Sequence, residues 1–174
     1  MPQEGLVADL RTPAALATAM RSRQPARGHL VGVDGFMESG KTTLAFELAE
    51  LLGGIRIGLD SYVHTDRDGE SYVGALRQSY LKSHLTKLKA VFPFVVVDGI
   101  CLSEAFEAIG HRADSHVYVK RISKAGIWHD GLLLEDVEGG EPLPDDWLRR
   151  NELSYHLSSR PHEVARFMYE RIEA

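Results

Sequence analysis

Two spacings of hydrophobic residues alternate along the chain. Short apolar runs of the kind that form buried strands occupy residues 29–34, 55–59, 94–97 and 116–122. The run at 94–97, Phe-Val-Val-Val, is continuous, which is typical of a parallel strand covered on both faces. Between these runs, leucines recur at helical spacing within 41–52 and 70–90. Strands that alternate with helices predict βαβ units and therefore an α/β fold with a parallel sheet.

The predicted helices have recognisable starts and ends. Thr12 can cap a helix over 12–23, and Pro13 suits its first turn. A glycine pair at 53–54 ends the second predicted helix. The helix predicted over 70–90 carries an apolar stripe, with lysines and arginines on its other faces. That stripe consists of Val73, Leu76, Tyr80, Leu81, Leu85 and Leu88. A shorter helix is expected near residues 103–110.

The C-terminal part of the chain has a weaker pattern. Residues 126–140 are rich in glycine and acidic side chains and predict a loop or a hairpin. Asp145 can cap a helix over 146–158, and Pro161 can open a final helix. The apolar face of that final helix would consist of Val164, Phe167, Met168 and Ile172. No fifth strand is evident from the pattern in this region.

The composition of the 174 residues narrows the class of protein. Hydrophobic residues make up 44% and charged residues 26%, as in globular rather than disordered chains. The net charge of −5 supplies no basic surface for duplex nucleic acid or for an anionic membrane, so neither is an expected partner. The single cysteine, Cys101, excludes an internal disulfide. No apolar stretch approaches the roughly 20 residues of a membrane helix. We therefore expect a single soluble, cytoplasmic domain.

One motif indicates nucleotide chemistry. Residues 35–42 match the phosphate-binding pattern G-x-x-x-x-G-K-[ST], between a predicted strand and a predicted helix as its mechanism requires. In such loops the backbone amides bind phosphates, the lysine (Lys41) reaches the β and γ phosphates, and the hydroxyl of Thr42 binds Mg²⁺. The expected ATP-binding residues are Gly35, Phe36, Met37, Glu38, Ser39, Gly40, Lys41, Thr42 and Thr43. The alternative is a glycine turn that merely joins a strand to a helix.

Two acidic residues follow other predicted strands. Asp98 ends the strand at 94–97, where a carboxylate can hold Mg²⁺ together with Thr42. Asp60 follows the strand at 55–59, and ligands of open parallel sheets bind at the carboxyl ends of the strands. Asp60 is therefore a candidate base for the proton of a phosphoryl-acceptor hydroxyl. The alternatives are a strand-end turn for Asp98 and a loop or helix cap for Asp60.

The segments VGVDGFMESGKTTLAFELAELL, LDSYVH and FVVVDGICL resemble the uridine kinase branch of P-loop small-molecule kinases. The resemblance extends over residues 28–122 and includes the lead-in to the last predicted strand at 113–119. It implies a three-layer αβα P-loop NTPase fold with a mainly parallel central sheet, and ATP and Mg²⁺ as cofactors. It also implies that Lys41 and Asp60 are catalytic and that Asp60, Tyr62 or His64 lies near the acceptor.

The resemblance further implies a cationic lid after the fourth strand, which neutralises charge on the transferring phosphoryl group. In this chain residues 126–141 are acidic and contain no arginine. The candidate lid residues are therefore Arg121, Arg149, Arg150 and Arg160, and the alternative for each is an ordinary surface cation. The implied organisation is an N-terminal helical arm (1–27), a P-loop core (28–122) and a divergent lid with C-terminal helices (123–174).

These features favour an ATP-dependent kinase that phosphorylates a hydroxyl of a small molecule, with uridine- or cytidine-like nucleosides as the first candidates. Two alternatives stay open, a regulatory nucleotide-binding NTPase and a degenerate ATP-binding module. The sequence contains no N-K-x-D guanine motif and no L-S-G-G-Q signature, which argues against a GTPase and an ABC-type ATPase. The oligomeric state is not set by the sequence, so a homodimer also stays open.

Overall fold

A parallel sheet of five strands organises the computed structural model of this chain, which describes residues 11–23, 25–64 and 70–173. The strands are β1 (His29–Gly35), β2 (Ile55–Gly58), β3 (Phe94–Asp98), β4 (Ser115–Ile122) and β5 (Phe167–Ile172). Their order is β2-β3-β1-β4-β5, and each adjacent pair is parallel. The predicted parallel sheet is confirmed. Residues 1–10 and 24, which belong to the predicted helical arm, lie outside the described residues.

Helices connect these strands. They are α1 (Pro13–Arg21), α2 (Lys41–Leu52), α3 (Gln78–Val91), α4 (Leu102–Ala108), α5 (His129–Glu138), α6 (Trp147–Ser159) and α7 (Pro161–Val164), with a 3-10 helix at Leu59–Tyr62. Thr12 caps α1 and Gly53 ends α2, as the sequence predicts. Asp146 caps α6, one residue after the predicted Asp145. None of the described helices has the length and apolar character needed to cross a membrane.

Alternate residues of the central strands face two helical layers. Val31 and Val33 of β1 pack in one core cluster with α1 and α2, whereas Leu30 of the same strand packs in a second cluster with α3 and α4. Val95 and Val97 of β3 belong to that second cluster, and the whole of β3 is buried. Burial of both faces explains why the β3 sequence is a continuous apolar run. The three-layer αβα arrangement is confirmed.

The helix predicted over residues 70–90 begins later than expected. Helix α3 starts at Gln78, and the residues before it form turns. Leu76 makes an isolated antiparallel bridge with Val63, so the backbone pairs there with a neighbouring segment rather than within a helix. Tyr80, which the spacing assigns to the apolar stripe, is 62% exposed. The predicted helix is therefore wrong over residues 70–77 and the burial of Tyr80 is wrong, whereas Leu76 is buried in the core as the stripe implies.

Residues 126–140, predicted as a loop or hairpin, contain helix α5. Gly131 lies inside this helix because of packing, since a Cβ atom at this position would lie 2.4 Å from the ring of Trp128. Leu134 of the same helix is buried in a small cluster with Phe36. The prediction is wrong because a glycine that ordinarily weakens a helix is here required by a neighbouring ring.

The predicted final helix is also wrong, because residues 161–172 form the short helix α7 and then strand β5. Val164 and Ile172, both assigned to the buried helix face, are exposed, whereas Phe167 is buried. Strand β5 lies in register along β4 over its whole length. The fifth strand that the pattern did not reveal is thus present, since its partner edge exists only in the folded sheet.

Candidate functional site

Residues 35–42 form the connection between β1 and α2. They match the phosphate-binding pattern and are called the phosphate loop below. Gly35 and Gly40 have φ angles of +147° and +99°, and Glu38 lies between them at +63°. A Cβ atom on Gly35 would lie 2.7 Å from the carbonyl oxygen of Val119, so the position excludes a larger residue. A loop with such backbone angles, followed directly by a helix N-terminus, is a binding site for anions.

Two buried polar side chains belong to this loop. The ammonium of Lys41 donates to the carbonyl oxygen of Phe36 at 2.9 Å. Burial lowers the pKa of Lys41, although nearby carboxylates raise it. Those carboxylates are Glu152, Asp34, Asp60 and Asp98. The hydroxyl of Ser39 is buried and has no hydrogen-bond partner among the described residues. A phosphate oxygen is a fitting partner for it, because buried polar groups are rarely left unsatisfied.

The candidate magnesium ligands lie next to each other. The Thr42 hydroxyl donates to the Asp98 carboxylate at 2.9 Å, which joins the start of α2 to the end of β3. Arg56 of β2, which the sequence analysis missed, donates twice to the same carboxylate at 2.5 and 2.8 Å. Its guanidinium also lies over the ring of Phe46 at 4.6 Å. No sequence signal identifies Arg56, because its contact with Asp98 depends on the pairing of β2 with β3.

The chemistry of Thr42 and Asp98 fits Mg²⁺, which prefers oxygen ligands. Within the described ranges, no group of three or more histidine, cysteine, aspartate or glutamate side chains is placed to hold a metal ion. One hydroxyl and one carboxylate are too few for a site built from protein alone. They suit a magnesium ion that obtains its other ligands from phosphates and water.

Asp60 lies in the 3-10 helix that follows β2. Its Oδ1 atom accepts a hydrogen bond from the hydroxyl of Tyr72 at 2.7 Å. The ring of Tyr72 is buried, and burial together with the Asp60 charge raises the pKa of this hydroxyl, which therefore stays a donor. The sequence analysis missed Tyr72 because it lies within the stretch predicted as a helix.

The loop and three strand ends enclose a cleft of about 390 Å³. The cleft is lined by Met37, Glu38, Lys41, Thr42, Asp60, Val63, Tyr72, Asp98, Gly99, Ile100 and Leu148. Four of the side chains with predicted chemical roles, those of Lys41, Thr42, Asp60 and Asp98, thus meet in one place. The carboxyl ends of β1, β2 and β3 converge here, as expected for a ligand site in an open parallel sheet.

Tyr62 and His64 are not part of the described lining of this cleft. Tyr62 is buried in the core, where its hydroxyl lies 2.5 Å from Nδ1 of His84. His64 lies 3.2 Å from a carboxylate oxygen of Glu70. Their assignment to the acceptor stays a prediction, and the residues at 65–69 lie outside the described part of the chain.

All four candidate lid arginines lie close to carboxylates. The pairs are Arg121 with Glu38, Asp130 and Glu173, Arg149 with Glu152, Arg150 with Asp145, and Arg160 with Glu138 and Glu163. Arg121 reaches the phosphate loop itself, at 3.7 Å from Glu38. Arg149 is linked to the loop through Glu152, whereas Arg150 and Arg160 pair with exposed carboxylates.

Helix α6 also places a buried carboxylate next to the phosphate loop. Glu152 is fully buried and accepts hydrogen bonds from the backbone amide of Met37 and, at 3.2 Å, from the guanidinium of Arg149. Burial raises the pKa of Glu152 to about 7, although the Met37 amide, Lys41 and Arg149 lower it. In the sequence, a glutamate three residues after an arginine indicates only an ordinary helical ion pair, so Glu152 was missed.

The same helix is bound to the residues on either side of Gly35. The hydroxyl of Tyr155 donates to the carboxylate of Asp34, the residue before that glycine. His156 lies 2.9 Å from the Tyr118 hydroxyl, and its ring stacks on Phe36 with the centroids 3.7 Å apart. Burial lowers the pKa of His156 to about 4, so its ring is neutral near pH 7. Helix α6 therefore holds the start of the phosphate loop in place.

Comparison with known proteins supports the fold. No protein-family model matches the sequence, and no curated protein matches it. The chain is similar to the solved structure of a possible uridine kinase from Bacillus stearothermophilus, at 14% identity and a TM-score of 0.60 over 90% of this chain and 96% of that one. It is similar to a proposed fructose transport system kinase from a Silicibacter species, at 17% identity and a TM-score of 0.52 over 91% and 98%. The chain therefore has the fold of P-loop kinases.

Proposed function

We propose that this protein is an ATP- and Mg²⁺-dependent kinase that transfers a phosphoryl group to a hydroxyl of a small molecule. The observation that carries the proposal is the meeting of Lys41, Thr42, Asp60 and Asp98 in one cleft beside the phosphate loop. Uridine- and cytidine-like nucleosides are the first candidate acceptors, because one of the similar solved structures is described as a possible uridine kinase.

The phosphate loop and Lys41 bind and orient the polyphosphate. The loop supplies backbone amides, and Lys41 supplies a cation to the β and γ phosphates. Because Lys41 is only 8% exposed, its charge acts where water screens it weakly, which strengthens its attraction to charge on the transferring group. Thr42 and Asp98 would hold Mg²⁺, which neutralises phosphate oxygens when it is bound.

Asp60 is the proposed base for the acceptor hydroxyl. Its hydrogen bond from Tyr72 fixes the carboxylate and engages Oδ1, which directs Oδ2 to the proton that is removed from the acceptor. Val63, Ile100 and Leu148 provide the apolar part of the cleft lining. An acceptor with one apolar face and a hydroxyl directed at Asp60 matches this combination of groups.

A nucleotide-binding module without transferase activity is the second candidate. It is favoured by the two hydrogen bonds from Arg56 that occupy both oxygens of Asp98. The pairing of every candidate lid arginine with a carboxylate favours it as well. In a kinase, these cations would have to leave their carboxylates in order to act on the phosphoryl group.

The deciding experiment is a transfer assay with ATP labelled on its γ phosphate. The protein is incubated with Mg²⁺ and with pools of nucleosides, sugars and other small alcohols, and the labelled products are separated. A new labelled compound supports the kinase, release of phosphate alone indicates a regulatory NTPase, and ATP binding with neither result indicates the module. The Lys41→Ala variant is the background control, and we expect it to keep its fold and to lose transfer. Full transfer by this variant would exclude the assigned role of Lys41.

A further inference from the structure

The phosphate loop already contacts an anion that belongs to the protein itself. The backbone amide of Met37 donates to the carboxylate of Glu152, a residue 115 positions further along the chain. Met37 is part of the 35–42 loop and lines the cleft next to Lys41. Loops of this type bind phosphates through their amides, so a carboxylate at the Met37 amide occupies part of an anion-binding surface.

Several charged groups act on the carboxylate of Glu152 beside the phosphate loop. The charged groups that act on its carboxylate are Lys41 on α2, Arg149 on α6 and Asp130 on α5, in addition to the Met37 amide. Glu152 in turn acts on Tyr118 of β4 and on Cys101 before α4. Before any ligand is bound, the carboxylates of Glu152 and Asp130 are therefore balanced by two cations and one backbone amide. These are the side chains of Lys41 and Arg149 and the amide of Met37. Arrival of a polyphosphate at Lys41 adds negative charge to a site that is closed to water on the Glu152 side.

Two anions close together in a buried site repel each other strongly, because water screens their charges weakly, and this repulsion favours protonation of one of them. We propose that Glu152 is an internal anion of the phosphate loop, and that the terminal phosphate of a bound nucleoside triphosphate is accommodated only when Glu152 takes up a proton. This inference rests on the proposed nucleotide site and adds proton uptake to its binding step. Glu152 acts here as a positioning residue that discriminates between nucleotides by their terminal phosphate.

The direction of the pH dependence follows from the state of Glu152 before binding. Burial raises its pKa to about 7, so the carboxylate is mostly ionised above that pH and mostly protonated below it. Binding of the triphosphate therefore takes up close to one proton at about pH 8 and very little at about pH 6. Above neutrality, the affinity for the triphosphate falls by close to tenfold for each pH unit.

The test is titration calorimetry with the β,γ-imido analogue of ATP and Mg²⁺. The number of protons taken up is obtained by repeating each titration in buffers with different ionisation enthalpies. We expect uptake of about one proton at about pH 8 by the natural sequence, and a large loss of that uptake in Glu152→Gln. This variant keeps the shape and the acceptor oxygen for the Met37 amide. The matched control is Glu163→Gln, which removes a charge from an exposed glutamate and is expected to leave proton uptake unchanged.

A second variant tests the electrostatic origin of the effect. Arg149 donates to Glu152 at 3.2 Å and lowers its pKa, so Arg149→Gln is expected to move the onset of proton uptake to higher pH. ADP, which lacks the terminal phosphate, is expected to take up fewer protons than the triphosphate analogue. A merely structural role of Glu152 would change neither the pH profile nor the difference between the two nucleotides.

Several results would overturn the inference. They are unchanged proton uptake by Glu152→Gln, no rise in uptake between about pH 6 and about pH 8 in the natural sequence, and equal uptake with ADP. Nucleotide binding without these signatures overturns the role of Glu152 and leaves the proposed function intact. Proton-coupled binding without transfer to any acceptor overturns the kinase activity alone. Failure of the natural sequence to bind either nucleotide overturns both proposals.

Discussion

At the scale of single residues, Asp60 and Tyr72 form the part of the cleft that would act on an acceptor. The hydrogen bond between them, 2.7 Å long, joins two residues that are twelve positions apart in the chain. The buried Tyr72 hydroxyl has a raised pKa and remains protonated, so it can only stabilise the ionised carboxylate. Asp60 is thus the proposed base, and Tyr72 is the group that would orient it.

Replacement of Asp60 by asparagine tests this assignment. The asparagine amide can still accept the Tyr72 hydrogen bond but cannot take up the acceptor proton, so Asp60→Asn is expected to lower kcat by about 10²–10⁴-fold. The Kd for ATP should change little, because the phosphate loop is untouched. The matched variant Tyr72→Phe keeps the carboxylate and is expected to lower kcat by a smaller factor. Steady-state kinetics and ATP binding measure both quantities, and equal turnover by Asp60→Asn would remove Asp60 from the role of base.

At the scale of secondary-structure elements, β5 and α6 decide how the C-terminal part of the chain is used. Strand β5 extends the sheet beyond β4. Helix α6 places Glu152, Tyr155 and His156 in contact with residues 34–37 at the start of the phosphate loop. Both elements come from the region in which the hydrophobic pattern is weakest. The region that the sequence presents as an atypical lid thus supplies a strand to the sheet and the contacts that hold residues 34–37 in position.

A pair of alanine variants distinguishes the strand from the helix that the spacing predicts. Phe167 and Ile172 lie on the same face of the predicted helix, but in the strand Phe167 is 5% exposed and Ile172 is 62% exposed. Phe167→Ala is expected to reduce the free energy of unfolding by about 3–5 kcal/mol, as is usual for a buried phenylalanine. Ile172→Ala should change it by less than about 0.5 kcal/mol. Urea denaturation measures both values, and similar losses for the two variants would contradict the observed strand.

At the scale of the whole molecule, the pKa values of two buried groups on α6 are shifted in opposite directions, so the two groups have opposite effects on the pH dependence of stability. His156 has a pKa lowered to about 4 in the folded protein, so the unfolded chain binds its proton more readily and acidification destabilises the fold. Glu152 has a pKa raised to about 7, so the folded protein binds the proton more readily and acidification stabilises the fold. Between about pH 6.5 and about pH 4.5, the ordinary pKa values of His and Glu, the two effects oppose each other.

Replacement of one of these two groups should make the effect of the other on the pH dependence of stability measurable. In Glu152→Gln only the His156 effect remains, so on acidification from about pH 6.5 to about pH 4.5 this variant should lose about 2 kcal/mol more stability than the natural sequence, since one pKa unit corresponds to about 1.4 kcal/mol. His156→Gln should show the opposite change relative to the natural sequence. Urea denaturation over this pH range gives the comparison, and parallel pH profiles for the natural sequence and Glu152→Gln would contradict it.

The sequence by itself determined the strand, loop and helix of the proposed nucleotide site. The strand, the glycine-rich loop and the helix at 29–52 are continuous in the chain, and their conformations follow from local spacing and from glycines. Asp60 and Asp98 could be assigned to the same site because parallel strands end at one edge of the sheet. That rule needs only the order of strands and helices, which hydrophobic periodicity supplies.

Tertiary structure alone decided the elements and side chains whose partners are distant in the chain. Gly131 is tolerated in α5 because the Trp128 ring occupies the space of its missing side chain, and β5 forms because β4 offers a free edge. Arg56 reaches Asp98 only through the pairing of β2 with β3, and Glu152 reaches the Met37 amide only through the packing of α6. Spacing along a chain reports which side chains share a face, but the identity of the group opposite that face is set by packing.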